Sequence, residues 1–243
     1  MFNTLIYNPL YNGLVILLDY IPGGDLGLAT IALTCIVKLI LFPLSKQATK
    51  TQIIMKALEP ELAELKKKYG SNREEFARKT LDFYKKHKLN PFASFFLLLI
   101  QIPIILGLAF IFFRGGFPEI NSSILYSFVA VPESINTQFL GLIDITKTSI
   151  VLGVLAGIAQ FVQIRLSVPA YKPKEKDKKA QNERDFAEEL ARNMNVQMRY
   201  VMPVFMFIIC LTVSGAVALY WITGSLFTIG QELYFRKTLK KDL

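Results

Sequence analysis

The sequence predicts an all-α polytopic membrane protein. It comprises five transmembrane helices, a cytoplasmic helical hairpin and an N-terminal interfacial amphipathic helix. Three observations predict it. Apolar residues make up 52% of 243 positions, and they fall in blocks of about 20, the length that crosses a ~30 Å hydrocarbon core at 1.5 Å per residue. Strongly charged stretches separate those blocks. The 28 Lys and Arg give a net charge of +9 and concentrate in alternate connecting segments, as cytoplasmic loops do.

Residues 1–24 are apolar and aromatic but interrupted by Asn3, Asn8, Pro9, Asn12 and Asp19. The uninterrupted run Gly13–Leu18 is too short to span, and Tyr7, Tyr11 and Tyr20 suit headgroup depth, so the segment reads as a helix lying on the outer face. The first span occupies 25–45, from Leu26 to about Leu44, with Pro43 near its cytoplasmic end. Residues 46–90 form the hairpin. Ile54, Leu58, Leu62 and Leu65 recur at helical spacing up to a stop at Tyr69-Gly70. A capping box, Ser71-Asn72-Arg73-Glu74, then starts a second helix carrying Phe76, Leu81 and Tyr84.

Asn90-Pro91 opens the second span, 91–114, since proline is tolerated in a first turn. Residues 115–147 are an outer loop, and 148–168 a third span containing Gln160 and Gln163. Residues 169–199 form a charged cytoplasmic loop, with PKEKDKK (173–179) mobile and a helix after it. The apolar block 200–235 would be about 54 Å long as one helix, too long for a bilayer. Ser214-Gly215 divides it into a fourth span, 200–213, and a fifth, 216–235, before the tail 236–243.

Segment 45–90 holds 12 Lys and Arg, segment 165–199 holds 9, and the tail holds 4. Five spans with the N-terminus outside and the C-terminus inside place all three in the cytoplasm. A sixth span at 5–21 would put the N-terminus inside; its length and polarity disfavour it. Residues 1–37 contain no Lys or Arg, so no secretory signal peptide is expected.

Several chemistries are disfavoured. His87 is the single histidine, and Cys35 and Cys210 lie in apolar blocks without a motif. No metal site, His-based triad or cofactor is therefore expected. There is no nucleotide-binding motif. The basic excess suits membrane topology better than base readout, although clustered Lys and Arg can contact ribosomal RNA phosphates.

Lys38 stands within ATIALTCIVKLILFPL, about 10 Å from the cytoplasmic end of the first span. A charge there costs a few kcal/mol on insertion scales. Either its stem snorkels to the headgroups, or it faces a water-filled cavity. Polar residues on other spans favour the cavity: Thr34 one turn away, Gln101, Gln160, Gln163, Thr223, Ser225, Thr228 and Gln231. One such residue per span could be interhelical glue. No acidic partner stands in any span core, so the charge is left for a ligand's carboxylate.

IVKLILFPLSKQA in the first span, ALEPELAELKKKYG (57–70), LNPFASFFLLLIQIPIILGL (89–108) and SGAVALYWITGSLFTIGQE (214–232) together resemble the YidC/Oxa/Alb family of membrane protein insertases over nearly the whole chain. The family typically carries arginine where this chain has Lys38, which keeps the charge but loses the planar fork. The resemblance implies a non-enzymatic insertase of the bacterial inner membrane. It would pass nascent transmembrane segments from cytoplasm to lipid through a positively charged hydrophilic groove. The implied groove residues are Thr34, Lys38, Gln101, Tyr220 and Trp221, with an aromatic belt the alternative for the last two. Gln160, Gln163 and Ser225 join them from the polar pattern alone. The implied partners are nascent membrane proteins, the lipid bilayer, the ribosome and targeting factors, with a Sec translocon a further candidate and no sequence-specific nucleic acid. A small transporter or channel with an anion site at Lys38 is the alternative function, disfavoured because no inverted repeat of broken helices is evident. A membrane scaffold in which Lys38 only snorkels is a third.

Overall fold

The computed structural model describes residues 1–239 except 71, 88, 91, 115–116, 168–192 and 194. The expectations for Ser71, for Pro91, for the mobile PKEKDKK segment and for most of the helix after it lie outside the described residues. The described chain is mostly helical. Its α-helices are α1 (Asn8–Tyr20), α2 (Leu26–Ile40), α3 (Phe42–Ala57), α4 (Glu59–Tyr69), α5 (Arg73–Lys86), α6 (Ala93–Arg114), α7 (Ile150–Ser167), α8 (Met202–Cys210) and α9 (Gly215–Leu239). A small hairpin, β1 (Gln138–Phe139) with β2 (Ile143–Asp144), adds a feature that the all-α expectation omitted. Among the described residues, α7 is long and apolar enough to cross a membrane, and Leu26–Ile40 with Phe42–Met55 qualifies if that pair is one span.

The chain divides into two compact units. One contains Met1–Val37 and Ile104–Gly230, the other Lys38–Pro103 and Gln231–Leu243.

In the first unit α1 is a core element. Leu10 and Ile6 close over Gly107 of α6, and the Phe2 and Phe110 rings meet edge-on at 6.0 Å. Tyr11, Leu14 and Val15 are fully buried. The Tyr11 hydroxyl accepts the Asn121 N–H at 2.8 Å. Tyr20 is 80% exposed. Buried Asn12 spends both ends of its amide on the loop, accepting from Tyr126 N–H at 2.7 Å and donating to Ile124 C=O at 3.0 Å. Few polar groups are buried without such partners, because desolvation would be uncompensated.

Asp25 joins α2 to the hairpin. Its Oδ1 caps α2 by accepting the Gly27 and Leu28 N–H groups at 2.8 and 3.0 Å. Its Oδ2 accepts the Leu140 N–H at 2.9 Å. The β-turn holds Leu140 at φ 51° and Gly141 at φ 71°, and positive φ is uncommon for leucine.

Gly153 and Gly157 of α7 let Phe207 and Pro203 of α8 approach closely, the small-residue packing that brings membrane helices together. The chain then breaks between Cys210 and Gly215. The first free N–H groups of α9 find partners in the segment before α7: Gly215 donates to Lys147 C=O at 2.7 Å and Ala216 to Ile145 C=O at 2.9 Å. A Cβ at position 215 would press on Ile145 and Leu152, so the division at Ser214-Gly215 reflects both a turn and a close approach.

In the second unit, the helix that sequence reading extends to Leu44 stops at Ile40, and α3 starts at Phe42 with Pro43 in its first turn. Proline offers no N–H to the preceding turn, so it opens a helix more readily than it continues one. The same effect divides the run Ile54–Leu65. Leu58 takes a non-helical conformation before Pro60, and α4 begins at Glu59. Asn72 is the cap of α5, accepting the Glu74 and Glu75 N–H groups at 3.2 Å each. On α5 the buried ring is Phe83, whereas Leu81 is 51% exposed. The Phe83 and His87 rings meet at a tilt of 51° with centroids 4.6 Å apart, and His87 approaches Glu61 of α4 at 3.7 Å. The start of α3 packs on the end of α9 through Phe42 and Phe235, whose ring centroids lie 5.3 Å apart.

Candidate functional site

The candidate residues fall in both units. Thr34, Gln160, Gln163, Tyr220, Trp221 and Ser225 belong to the first, Lys38 and Gln101 to the second.

Within the first unit, Gln160, Trp221 and Ser225 come together. Trp221 and Ser225 stand four residues apart on α9 and so share a face. The Trp221 indole N–H donates to Gln160 Oε1 at 2.8 Å, and the Ser225 hydroxyl points to the same oxygen at 3.5 Å. Two apolar helices thus meet at one amide. In hydrocarbon an unpaired indole N–H or amide would be costly. Gln163 is half-buried one turn further along α7, and among the described residues no hydrogen bond links it to this cluster. Tyr220 is 2% exposed, so its ring packs against protein and not in a lipid-facing belt.

Thr34 is buried, and its hydroxyl donates to Thr30 C=O at 2.6 Å while Thr30 donates to Leu26 C=O at 2.8 Å. This back-bonding satisfies both donors inside the helix and leaves the oxygen lone pairs as acceptors. Sequence reading singled out Thr34 and passed over Thr30, which extends the same ladder.

In the second unit, Lys38 is half-buried in the last turn of α2. A cation there is favoured by the carbonyl end of the helix. Among the described residues, ion pairs join Lys147 to Asp144 and Arg236 to Glu232, and none involves Lys38. Gln101 is half-buried on α6. Two polar contacts near the end of α9 were missed by sequence reading. Ser45 donates to Gln231 Oε1 at 3.0 Å. Buried Glu232 receives the Arg236 guanidinium at 2.8 Å. The signal was the Gln-Glu pair inside an apolar run, four residues before an arginine.

These features define a helical membrane protein with polar side chains set into apolar helices. The model of the 60Kd inner membrane protein family matches residues 17–242. The membrane protein insertase YidC of Fusobacterium nucleatum is 30% identical over 239 residues, covering 96% of this chain and 98% of that protein. A YidC insertase of Clostridium tetani is 29% identical over 90% of this chain and 86% of its own length. The membrane protein insertase MisCA of Bacillus subtilis is 26% identical over 89% and 72%. The chain belongs to the 60Kd inner membrane protein family, and the resemblance to YidC/Oxa/Alb insertases is borne out.

Proposed function

We propose that this chain is a membrane protein insertase that passes nascent transmembrane segments from the cytoplasm into lipid through a hydrophilic groove. The observation that carries the reading is Lys38, a half-buried cation in an apolar helix with no ion pair among the described residues. Family membership and the names of the relatives support it.

Five spans cross the bilayer, with the N-terminus outside and the C-terminus inside. Residues 1–24 lie at the outer face, and α4 with α5 forms a cytoplasmic hairpin that receives clients, the ribosome or targeting factors. The family resemblance assigns Thr34, Lys38, Gln101, Tyr220 and Trp221 to the groove, and the polar pattern of the sequence adds Gln160, Gln163 and Ser225. Lys38 attracts carboxylates on the tail of an incoming segment. At 4 Å and an effective dielectric of 20 the attraction is about 4 kcal/mol, comparable with the cost of moving one charge into the membrane. The client helix then slides sideways into lipid, driven by apolar burial. No covalent step is needed.

Photo-crosslinking of a stalled nascent chain to probes at positions 34, 38 and 101 tests the reading. Crosslinks at these positions are expected. Solute flux through reconstituted protein with no crosslink would replace the insertase by a transporter.

A further inference from the structure

The C-terminal end of α7 carries a cluster with no part in the groove. Arg165 lies in the last turn, with its guanidinium 5.7 Å from the centre of the Phe161 ring one turn earlier. The chain returns through a π-helical turn, Gln197–Val201, that presents Arg199 and Tyr200. The Phe161 and Tyr200 rings stand 6.4 Å apart. These four side chains line one small cleft.

Three properties point to one ligand class. Two guanidinium groups supply the forked donors that match phosphate oxygens. The aromatic pair gives the cleft an apolar floor and, in Tyr200, a hydroxyl. Depth supplies the third. An 18-residue helix covers most of the hydrocarbon thickness, so a residue in its last turn stands at the headgroups, where arginine and tyrosine meet lipid phosphates. The surface one turn deeper remains apolar and open: Ile158 on α7 is 55% exposed and Val204 on α8 57% exposed. A free phosphate has no use for that surface, whereas an acyl chain does.

We infer that Phe161, Arg165, Arg199 and Tyr200 form a binding site for the phosphate of an anionic membrane phospholipid, whose acyl chain runs down over Ile158 and Val204. The inference rests on α7 crossing the membrane and is independent of the insertase reading.

Native mass spectrometry of the full-length chain, extracted in detergent and incubated with phosphatidylglycerol or phosphatidylcholine, tests it. The wild type is expected to retain phosphatidylglycerol in preference to phosphatidylcholine. The charge-removing variant R165Q/R199Q should lose that retention about tenfold, and R165K/R199K should restore part of it. Millimolar inorganic phosphate should leave the bound lipid in place. Equal retention of both lipids, undiminished retention by R165Q/R199Q, or displacement by inorganic phosphate would each overturn the assignment. Unchanged emission of Trp221 certifies that a variant is folded; if the double variant is not, R165Q alone, at an exposed side chain, carries the same comparison. Lipid retention needs no client, so its loss is distinguishable from failure of insertion.

Discussion

The indole N–H of Trp221 donates to the side-chain oxygen of Gln160 at 2.8 Å, joining α9 to α7 across 61 positions of sequence. Interhelical hydrogen bonds of this kind contribute about 0.6–1.7 kcal/mol in membranes. Gln160→Leu should lower stability by about 1 kcal/mol. Because Trp221 is the sole tryptophan, its emission should shift to shorter wavelength in the same variant. Trp221→Phe should cost a similar amount, and the double variant little more than either single one. Additive losses in a thermal-unfolding cycle would show that the two side chains act separately.

Asp25 satisfies three backbone N–H groups, two at the start of α2 and one in the hairpin at Leu140. Asp25→Ala should cost about 1–3 kcal/mol, combining a lost cap with an orphaned buried donor. Asp25→Asn keeps one carbonyl oxygen and should fall between. Hydrogen exchange should accelerate both at 26–28 and at 138–142. Faster exchange confined to α2 would mean that Asp25 does not hold the turn.

Leu140 sits at positive φ and is 60% exposed. Its side chain gains little burial there, while its backbone occupies a region that glycine enters freely. Leu140→Gly should therefore stabilise the protein by about 1 kcal/mol, despite the greater freedom of an unfolded glycine. A lower unfolding temperature would indicate that Leu140 makes a contact worth more than the strain.

The Asp144 carboxyl is held below the usual carboxylate range, first by the Thr146 hydroxyl, then by the Thr146 N–H and by Lys147. A depressed folded value means the contribution is fully present above the ordinary carboxylate pKa of about 4 and is lost as pH falls through the lower folded value. Asp144→Asn should give the acid behaviour of the hairpin already at neutral pH, read as faster hydrogen exchange at 143–147 after correction for intrinsic rates. Thr146→Val should move the transition towards higher pH.

Legibility in the sequence followed the range of the interaction. Lys38 was visible because hydropathy exposes a cation in an apolar run, and the division at Ser214-Gly215 because 36 apolar residues are too many for one span. The starts of α3 and α4 were less visible. Pro43 and Pro60 are local signals, but apolar spacing across them reads as continuous helix. The burial of Tyr11 and Asn12 could not be read at all, because their partners at Asn121 and Tyr126 lie more than a hundred residues away in an irregular loop. Of the polar candidates, Gln160, Trp221 and Ser225 share a hydrogen-bonded cluster. Nothing in their spacing said that the Gln160 oxygen would face both Trp221 and Ser225 of α9.

The charge at Lys38 gives the sharpest test of function. A groove that stabilises acidic client tails depends on a cation, and the shape of that cation is secondary. Lys38→Arg should therefore retain insertion. Lys38→Ala should lower insertion of clients with acidic tails about tenfold or more, since each 1.4 kcal/mol of lost attraction is a factor of ten and the attraction is a few kcal/mol. Clients with neutral tails should insert nearly normally, which separates loss of the charge from loss of the fold. The assay is protease protection of a translocated tail in vesicles containing each variant. Should Lys38→Ala insert acidic-tailed clients at the wild-type rate, the lysine is snorkelling from the end of α2 and the receptor for client charge must be sought elsewhere.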